Sequence, residues 1–114
     1  MSIEETIREQ IDSNGILLYM KGNPEAPQCG FSAQVTQILM SYGKRFAYVD
    51  VLSNPDIRAN LPAVSSWPTF PQLFVSGELV GGCDIITDMH EKGDLQPLFE
   101  SLAAEETSDS SPTD

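Results

Sequence analysis

The run of apolar residues from Ile16 to Met20 constrains the fold more than any other segment of the chain. It is the longest apolar run in the 114 residues, yet it is far too short to cross a bilayer, which takes about 20 apolar residues in a helix. A short, continuous apolar run is typical of a strand that is covered on both faces. The sequence therefore predicts a buried central strand.

Helical patterns lie on both sides of this strand. Before it, a capping box of Ser2 and Glu5 and isoleucines at every fourth position predict a helix that Asn14-Gly15 ends. After it, a loop with two prolines leads into a second helix, which is expected from Gly30 to Gly43. The apolar face predicted for this second helix consists of Phe31, Val35, Ile38 and Tyr42.

The middle of the chain predicts a second strand and a third helix. Phe46 to Val51 has a strand pattern, and this strand would run parallel to the first because a helix connects the two. Asn54-Pro55 opens a helix, since proline is favoured at the first helical position. Pro62 is expected to close that helix.

The last third of the chain predicts a β-hairpin followed by helices. Short strands at Gln72–Val75 and Glu78–Val80 flank Ser76-Gly77, which is a hairpin signal. A helix follows from about Asp84, and a last short helix is expected over Asp94–Leu102. A parallel βαβ unit followed by an antiparallel ββα unit predicts an α/β fold, a four-stranded mixed sheet with helices on both faces. This is the thioredoxin arrangement.

Charge and composition narrow the expected partners and location. The formal net charge is −11, and an acidic protein lacks the clustered cations that nucleic acid or an anionic membrane would require. Residues 1–103 are predicted to form one domain, and residues 104–114 a polar, acidic, disordered tail. The N-terminus has no apolar signal segment, so a cytoplasmic location is expected.

Cys29 is the first candidate for chemistry because it directly precedes a predicted helix. The free N–H groups and partial positive charge at a helix start lower the pKa of a thiol. A buried, inert cysteine is the alternative interpretation. Ser32 stands where a C-x-x-C redox motif would have its second cysteine. Its hydroxyl could hydrogen-bond to the thiolate or cap the helix.

Two cations are further candidates. Lys21 follows the first strand, at the end of the sheet where ligands bind when strands are parallel. It could lower the pKa of the Cys29 thiol and bind an anion, or it could be an ordinary solvated lysine. Arg58, taken alone, is typical of a surface residue on a helix.

Two loops are candidate ligand-binding segments. Trp67–Pro71 leads into a strand, and a cis Pro71 would leave the backbone of Phe70 free to pair with a peptide ligand. Gly81-Gly82 precedes a helix and could form a nest for a carboxylate. The alternative there is a tight turn with Asp84 as N-cap.

Together, these motifs resemble those of the monothiol glutaredoxins, in particular the bacterial single-domain type. The shared motifs are CGFS at residues 29–32 with Lys21 upstream, WPTFP at 67–71 and GGCD at 81–84. The similarity extends from about Ile3 to Ala103. The resemblance implies a thioredoxin-like fold in which Pro71 is cis.

The resemblance also implies a glutathione site. Glutathione would lie extended in a groove, with Lys21, Arg58 and the Phe70 backbone at its glycine and cysteine ends. The Cys83 backbone and Asp84 would hold its γ-glutamyl end.

The family further implies a homodimer bridged by one labile [2Fe–2S] cluster and pairing with a BolA-like protein. Two Cys29 thiolates and two glutathione thiolates would supply the four thiolates that such a cluster takes. The expected function is assembly and transfer of clusters to iron–sulfur apoproteins, with a part in iron homeostasis. The alternative is a glutathione-dependent oxidoreductase that reduces mixed disulfides through Cys29.

Overall fold

A computed structural model describes residues 2–100 of the chain. Its elements, in chain order, are α1 (Ile3–Ser13), β1 (Ile16–Met20), β2 (Gly22–Asn23), β3 (Ala26–Pro27), α2 (Gly30–Ser41), β4 (Ala47–Asp50), α3 (Pro55–Ser65), β5 (Gln72–Val75), β6 (Glu78–Gly81) and α4 (Cys83–Lys92). Residues 95–100 are also helical. The end of the last predicted helix and the predicted tail, residues 104–114, lie outside the described residues.

The main sheet has four strands in the order β4-β1-β5-β6. β1 pairs in parallel with β4 and antiparallel with β5, and β5 pairs antiparallel with β6. The mixed α/β fold predicted from the order of elements is therefore confirmed. Ser76 and Gly77, which join β5 to β6, both have positive φ angles, 53° and 82°, as the favoured two-residue hairpin turns require.

β1 is buried on both faces because helices cover both sides of the sheet. All five of its residues are buried, and their side chains alternate between two apolar clusters. Leu18 belongs to a cluster under α2 and α4, and Leu17 belongs to a cluster under α1 and α3. Within residues 2–100, no helix is long and apolar enough to cross a membrane.

The loop predicted between β1 and α2 contains a short hairpin, β2-β3. Gly22 pairs with Pro27 and Asn23 with Ala26. The Asn23 side-chain oxygen accepts hydrogen bonds from the N–H groups of Glu25 and Ala26, at 3.0 and 2.9 Å. An asparagine that bonds to the backbone ahead of it forms a turn by itself, and this turn orders the segment.

Two predictions about helices were wrong. Phe31 does not belong to the buried face of α2: it is 60% exposed and lines a surface cavity. Pro62 does not close α3, which continues to Ser65. Leu61, directly before the proline, and Val64, two residues after it, pack on the core, and this packing outweighs the backbone hydrogen bond that a proline removes.

Candidate functional site

An open cavity of about 760 Å³ lies beside the carboxyl end of β1. The cavity is lined by the proposed thiol and by the five residues that the resemblance assigns to glutathione, and these six are Lys21, Cys29, Arg58, Phe70, Cys83 and Asp84. They come from five separate segments of the chain. Arg58, which taken alone resembled an ordinary surface residue, lies on α3 and reaches the cavity from there.

The sheet brings these segments to one end of the molecule. β1 ends just before Lys21, and α2 begins just after Cys29. Because β5 is antiparallel to β1, its start lies beside the end of β1, where Tyr19 pairs with Gln72. β6 returns antiparallel to β5, so α4 begins at the same end with Cys83. The starts of two helices and the loop before β5 therefore surround the cavity.

Cys29 is the N-cap residue of α2 and is half-buried at the cavity wall. Its side chain makes no cap hydrogen bond of ordinary geometry. The pKa of the thiol is nevertheless lowered, mainly by the nearby backbone N–H of Ser32, with smaller contributions from the Phe31 N–H, the Ser32 hydroxyl and the Lys21 ammonium. Cys29 is thus not the buried thiol of the alternative interpretation.

Ser32 links the end of β1 to the start of α2. It is fully buried, and its hydroxyl oxygen accepts a hydrogen bond from the backbone N–H of Lys21 at 3.1 Å. With its oxygen occupied in this way, the hydroxyl has its proton left to donate to Cys29, which lowers the pKa of that thiol. The alternative that Ser32 caps the helix is wrong, because the N-cap of α2 is Cys29.

The backbone around Lys21 is held from three directions. Besides the bond from its N–H to Ser32, its carbonyl accepts from the N–H of Gln28 at 2.9 Å. The next N–H, that of Gly22, donates to the Asp50 carboxylate at 3.0 Å. The Lys21 ammonium also lowers the pKa of Cys29, as the smallest of the contributing influences.

The opposite wall of the cavity is formed by the WPTFP loop and the start of α4. The Phe70–Pro71 peptide bond is cis. Gly82 is the N-cap of α4, so the alternative prediction of Asp84 as N-cap is wrong. A Cβ atom on Gly82 would lie 3.2 Å from the Trp67 indole nitrogen and 3.3 Å from the Pro71 carbonyl oxygen. Glycine at this position therefore lets the helix start pack directly against the loop.

The sequence of this chain is similar to those of known glutaredoxins. A family model described as Glutaredoxin matches residues 16–80. Glutaredoxin 4 of Escherichia coli strain K12 is 62% identical over 100 residues, which cover 88% of this chain and 87% of that protein. Glutaredoxin 4 of Pasteurella multocida is 56% identical over 104 residues, 91% of this chain and 95% of that protein. The chain belongs to the glutaredoxin family.

Solved structures of glutaredoxins match the same fold. The solution structure of reduced, apo poplar GrxS14 has a TM-score of 0.77 at 42% identity and covers 90% of this chain and 94% of that one. A buckwheat glutaredoxin solved as a glutathione complex has a TM-score of 0.78 at 25% identity, with coverage of 90% and 91%. With Ser32 in place of a second motif cysteine, this chain is a monothiol glutaredoxin, and the resemblance found from its sequence is confirmed.

Sequence reasoning missed several apolar residues that line the cavity of this glutaredoxin. Phe31 and Ile85 are 60% and 39% exposed, and both border the cavity. Each stands two residues after a cysteine at a helix start, Cys29 or Cys83, and this spacing was the available signal. Both residues lie in the first turn of a helix, where their side chains face the cavity and not the core.

Proposed function

We propose that this glutaredoxin binds glutathione in the cavity and uses Cys29 to carry a [2Fe–2S] cluster to iron–sulfur apoproteins. One observation carries the proposal: a half-exposed thiol of lowered pKa lies at a helix start, in a cavity that also contains Lys21 and Arg58. In a chain with a net charge of −11, two cations in one cavity favour an anionic ligand.

The charges around the cavity suit glutathione, which has a carboxylate at one end and an amino acid group at the other. Lys21 and Arg58 would pair with the glycine carboxylate, and the Phe70 backbone would pair with the central cysteine residue. At the other wall, the Cys83 N–H at the start of α4 would receive the γ-glutamyl carboxylate. The Asp84 carboxylate would pair with the γ-glutamyl ammonium group.

The ligand count suits a cluster shared between two copies. A [2Fe–2S] cluster takes four thiolates, and the chain has two cysteines in total. Cys29 from each copy and one glutathione thiolate bound to each copy would complete the set. Phe31 and Ile85, exposed at the cavity, offer apolar surface that a second copy could cover. Since two ligands would be exchangeable small molecules, the cluster would be easily released, as cargo must be.

Anaerobic reconstitution with iron, sulfide and glutathione tests this proposal. The wild-type protein should develop the visible absorption of a [2Fe–2S] cluster, and omitting glutathione should prevent it. Cys29→Ser should abolish cluster assembly. Cys83→Ser, which changes the other cysteine in the same cavity, should leave assembly largely intact. A Cys29→Ser protein that loads a cluster at wild-type yield would contradict the assignment.

Reduction of mixed disulfides is a second candidate function, favoured by the lowered pKa of Cys29. The Cys29 thiolate would attack the glutathione sulfur of a mixed disulfide and release the substrate as a thiolate that takes up a proton. A second glutathione thiolate would then attack the Cys29–glutathione disulfide, releasing oxidised glutathione and restoring Cys29. Turnover of a glutathionylated peptide, measured without iron, separates this activity from cluster transfer.

The family resemblance supports three further proposals for this chain. It would pair with a BolA-like protein, act in the cytoplasm and use residues 1–103 as its functional domain, with the acidic segment 104–114 dispensable. The domain boundary would be supported if a chain truncated after Ala103 still loads the cluster. The BolA-like partner would be supported if adding such a protein changes the spectrum of that cluster. A truncated chain that loads no cluster would contradict the domain boundary.

A further inference from the structure

Gln72 is a polar residue at a buried strand position, where an apolar residue is usual. It begins β5 and is fully buried. It pairs with Tyr19 of β1, and paired residues of neighbouring strands share a face of the sheet. Its side chain therefore lies on the face of the apolar cluster that contains Tyr19, under α1 and α3. A buried amide in such a place needs an explanation beyond packing.

The Gln72 amide bonds to the backbone of the loop that precedes its strand. Its side-chain nitrogen donates to the carbonyl oxygens of Trp67 and Thr69, at 2.9 and 3.1 Å. Because both partners are acceptors, only the NH₂ group can face the loop. The side-chain oxygen is buried with no hydrogen-bond partner among the described residues. A buried acceptor without a partner costs free energy, so an apolar residue would suit the core better.

The backbone of this loop makes few other hydrogen bonds to the described residues. Apart from a bond between the Trp67 N–H and the Ser65 hydroxyl at 3.2 Å, the hydrogen bonds that described residues make to the backbone of 67–70 are the two from Gln72. Trp67, Thr69 and Phe70 all line the cavity, whereas Gln72 does not.

We propose that Gln72 is a positioning residue, which fixes the loop of residues 67–70 in the shape that receives glutathione. The inference rests on the proposed glutathione site and assigns to it a residue that would not contact the ligand. It also explains why a costly buried amide stands in β5: its two hydrogen bonds hold the cavity wall.

Gln72→Met tests the proposal, because methionine has a similar length and removes both hydrogen bonds. Val75→Ala is the matched control, since Val75 is buried at the other end of the same strand and does not line the cavity. Trp67 is the only tryptophan of the chain, so its fluorescence reports on the loop directly. Calorimetric titration with reduced glutathione gives affinity, and urea unfolding gives stability.

For Gln72→Met we expect glutathione affinity to fall about tenfold and Trp67 emission to shift to longer wavelength with easier quenching by acrylamide. Val75→Ala should lower stability while keeping both the affinity and the emission of the wild type. Wild-type affinity and emission in Gln72→Met would overturn the proposal. So would equal losses of affinity in the two variants, because Gln72 would then act through general stability alone.

Two further outcomes keep the tests separate. If the wild-type protein does not bind glutathione, the proposed function is wrong. The positioning role of Gln72 is tested separately, because unchanged Trp67 emission in Gln72→Met would overturn that role whether or not glutathione binds. If Gln72→Met does not fold, Gln72→Glu replaces it. A neutral carboxyl group donates one hydrogen bond and a carboxylate none. The emission of Gln72→Glu should therefore approach that of the wild type when the buried carboxyl group is neutral, and a wild-type emission from the ionised form would overturn the proposal.

Discussion

At the scale of single residues, the lowered pKa of Cys29 comes from its immediate neighbours. The backbone N–H of Ser32 has the largest effect in lowering the pKa of the thiol, and the Ser32 hydroxyl and the Lys21 ammonium add to it. Hydrogen bonds and opposite charges both stabilise a thiolate. The same serine hydroxyl accepts the Lys21 N–H, so one buried side chain serves both the thiol and the lysine.

Ser32→Ala should raise the pKa of Cys29 because it removes one hydrogen-bond donor to the thiolate. A hydrogen bond to a charged group contributes about 1.5 kcal/mol, so the thiolate fraction below the pKa should fall by up to about tenfold. The pH dependence of Cys29 alkylation in a Cys83→Ser background measures this. Ser41→Ala is the control on the same helix, because the Ser41 hydroxyl bonds only to the Ile38 carbonyl. Equal alkylation profiles for the two variants would refute the role of Ser32.

Lys21→Ala should affect ligand binding more than it affects the thiol. If the ammonium pairs with a glutathione carboxylate, a loss of about 1.4 kcal/mol would weaken binding about tenfold. The rise in the pKa of Cys29 should be smaller than for Ser32→Ala, since Lys21 is the smallest influence on that thiol. Lys21→Arg keeps the charge and should lose less affinity. Glutathione titration and thiol alkylation measure the two effects, and unchanged values of both in Lys21→Ala would exclude Lys21 from the site.

At the scale of elements, the β2-β3 hairpin sets the distance between the end of β1 and the start of α2. Gly22 has a φ of +91°, and a Cβ atom there would lie 2.6 Å from the Ala26 carbonyl oxygen and 2.7 Å from the Gln28 nitrogen. These contacts are with backbone, so they could be relieved only by moving the hairpin. Because Cys29 lies two residues after the end of β3, the hairpin should control the position of the thiol as well.

Gly22→Ala should therefore lower the free energy of unfolding of the protein and also the rate of Cys29 alkylation. Gly43→Ala is a matched control, since Gly43 also has a positive φ of +68° but nothing within 4 Å of its Cβ position. The control should lower the free energy of unfolding by about 1–2 kcal/mol through backbone conformation alone. Gly22→Ala should lose more and also slow Cys29 alkylation. Urea unfolding and alkylation rates measure this, and equal losses in both variants would argue against the steric role.

At the scale of the whole molecule, the candidate site residues lie at one end of the sheet. Most of the buried apolar side chains lie between the sheet and its two layers of helices. The apolar clusters on the two faces hold the helices on β1 and its neighbours. The cavity at the end of the sheet exposes Phe31 and Ile85. Its apolar surface is small compared with the interface of a stable dimer, which buries about 1,600 Å² in total.

Removal of the cluster should therefore separate the proposed dimer. The apo protein should be mostly monomeric, and the cluster-loaded protein dimeric, because the cluster and its thiolates would provide most of the association energy. Anaerobic size-exclusion chromatography with light scattering, before and after chelation of iron, measures this. A dimer that survives complete removal of the cluster would show that protein contacts alone hold the two copies together.

Much of the fold could be predicted because its signals are local. The five-residue apolar run became β1, the Ser2–Glu5 capping box opens α1, and Ser76-Gly77 forms the predicted hairpin turn. Cys29 lies at a helix start, as expected. Each of these features depends on interactions within a few residues, so the order of residues alone carries the information.

The remaining features depend on contacts between distant segments. No local pattern shows that packing of Leu61 and Val64 carries α3 through Pro62, or that Phe31 faces a cavity. The bond between Ser32 and Lys21 joins two elements, and the Gln72 amide is buried because β5 pairs with β1, where Gln72 lies opposite Tyr19. The sequence by itself thus singled out most of the candidate site residues, but not Phe31, Ile85 or Gln72. The tertiary structure decided how they are held, because burial and hydrogen-bond partners are set by neighbours in space.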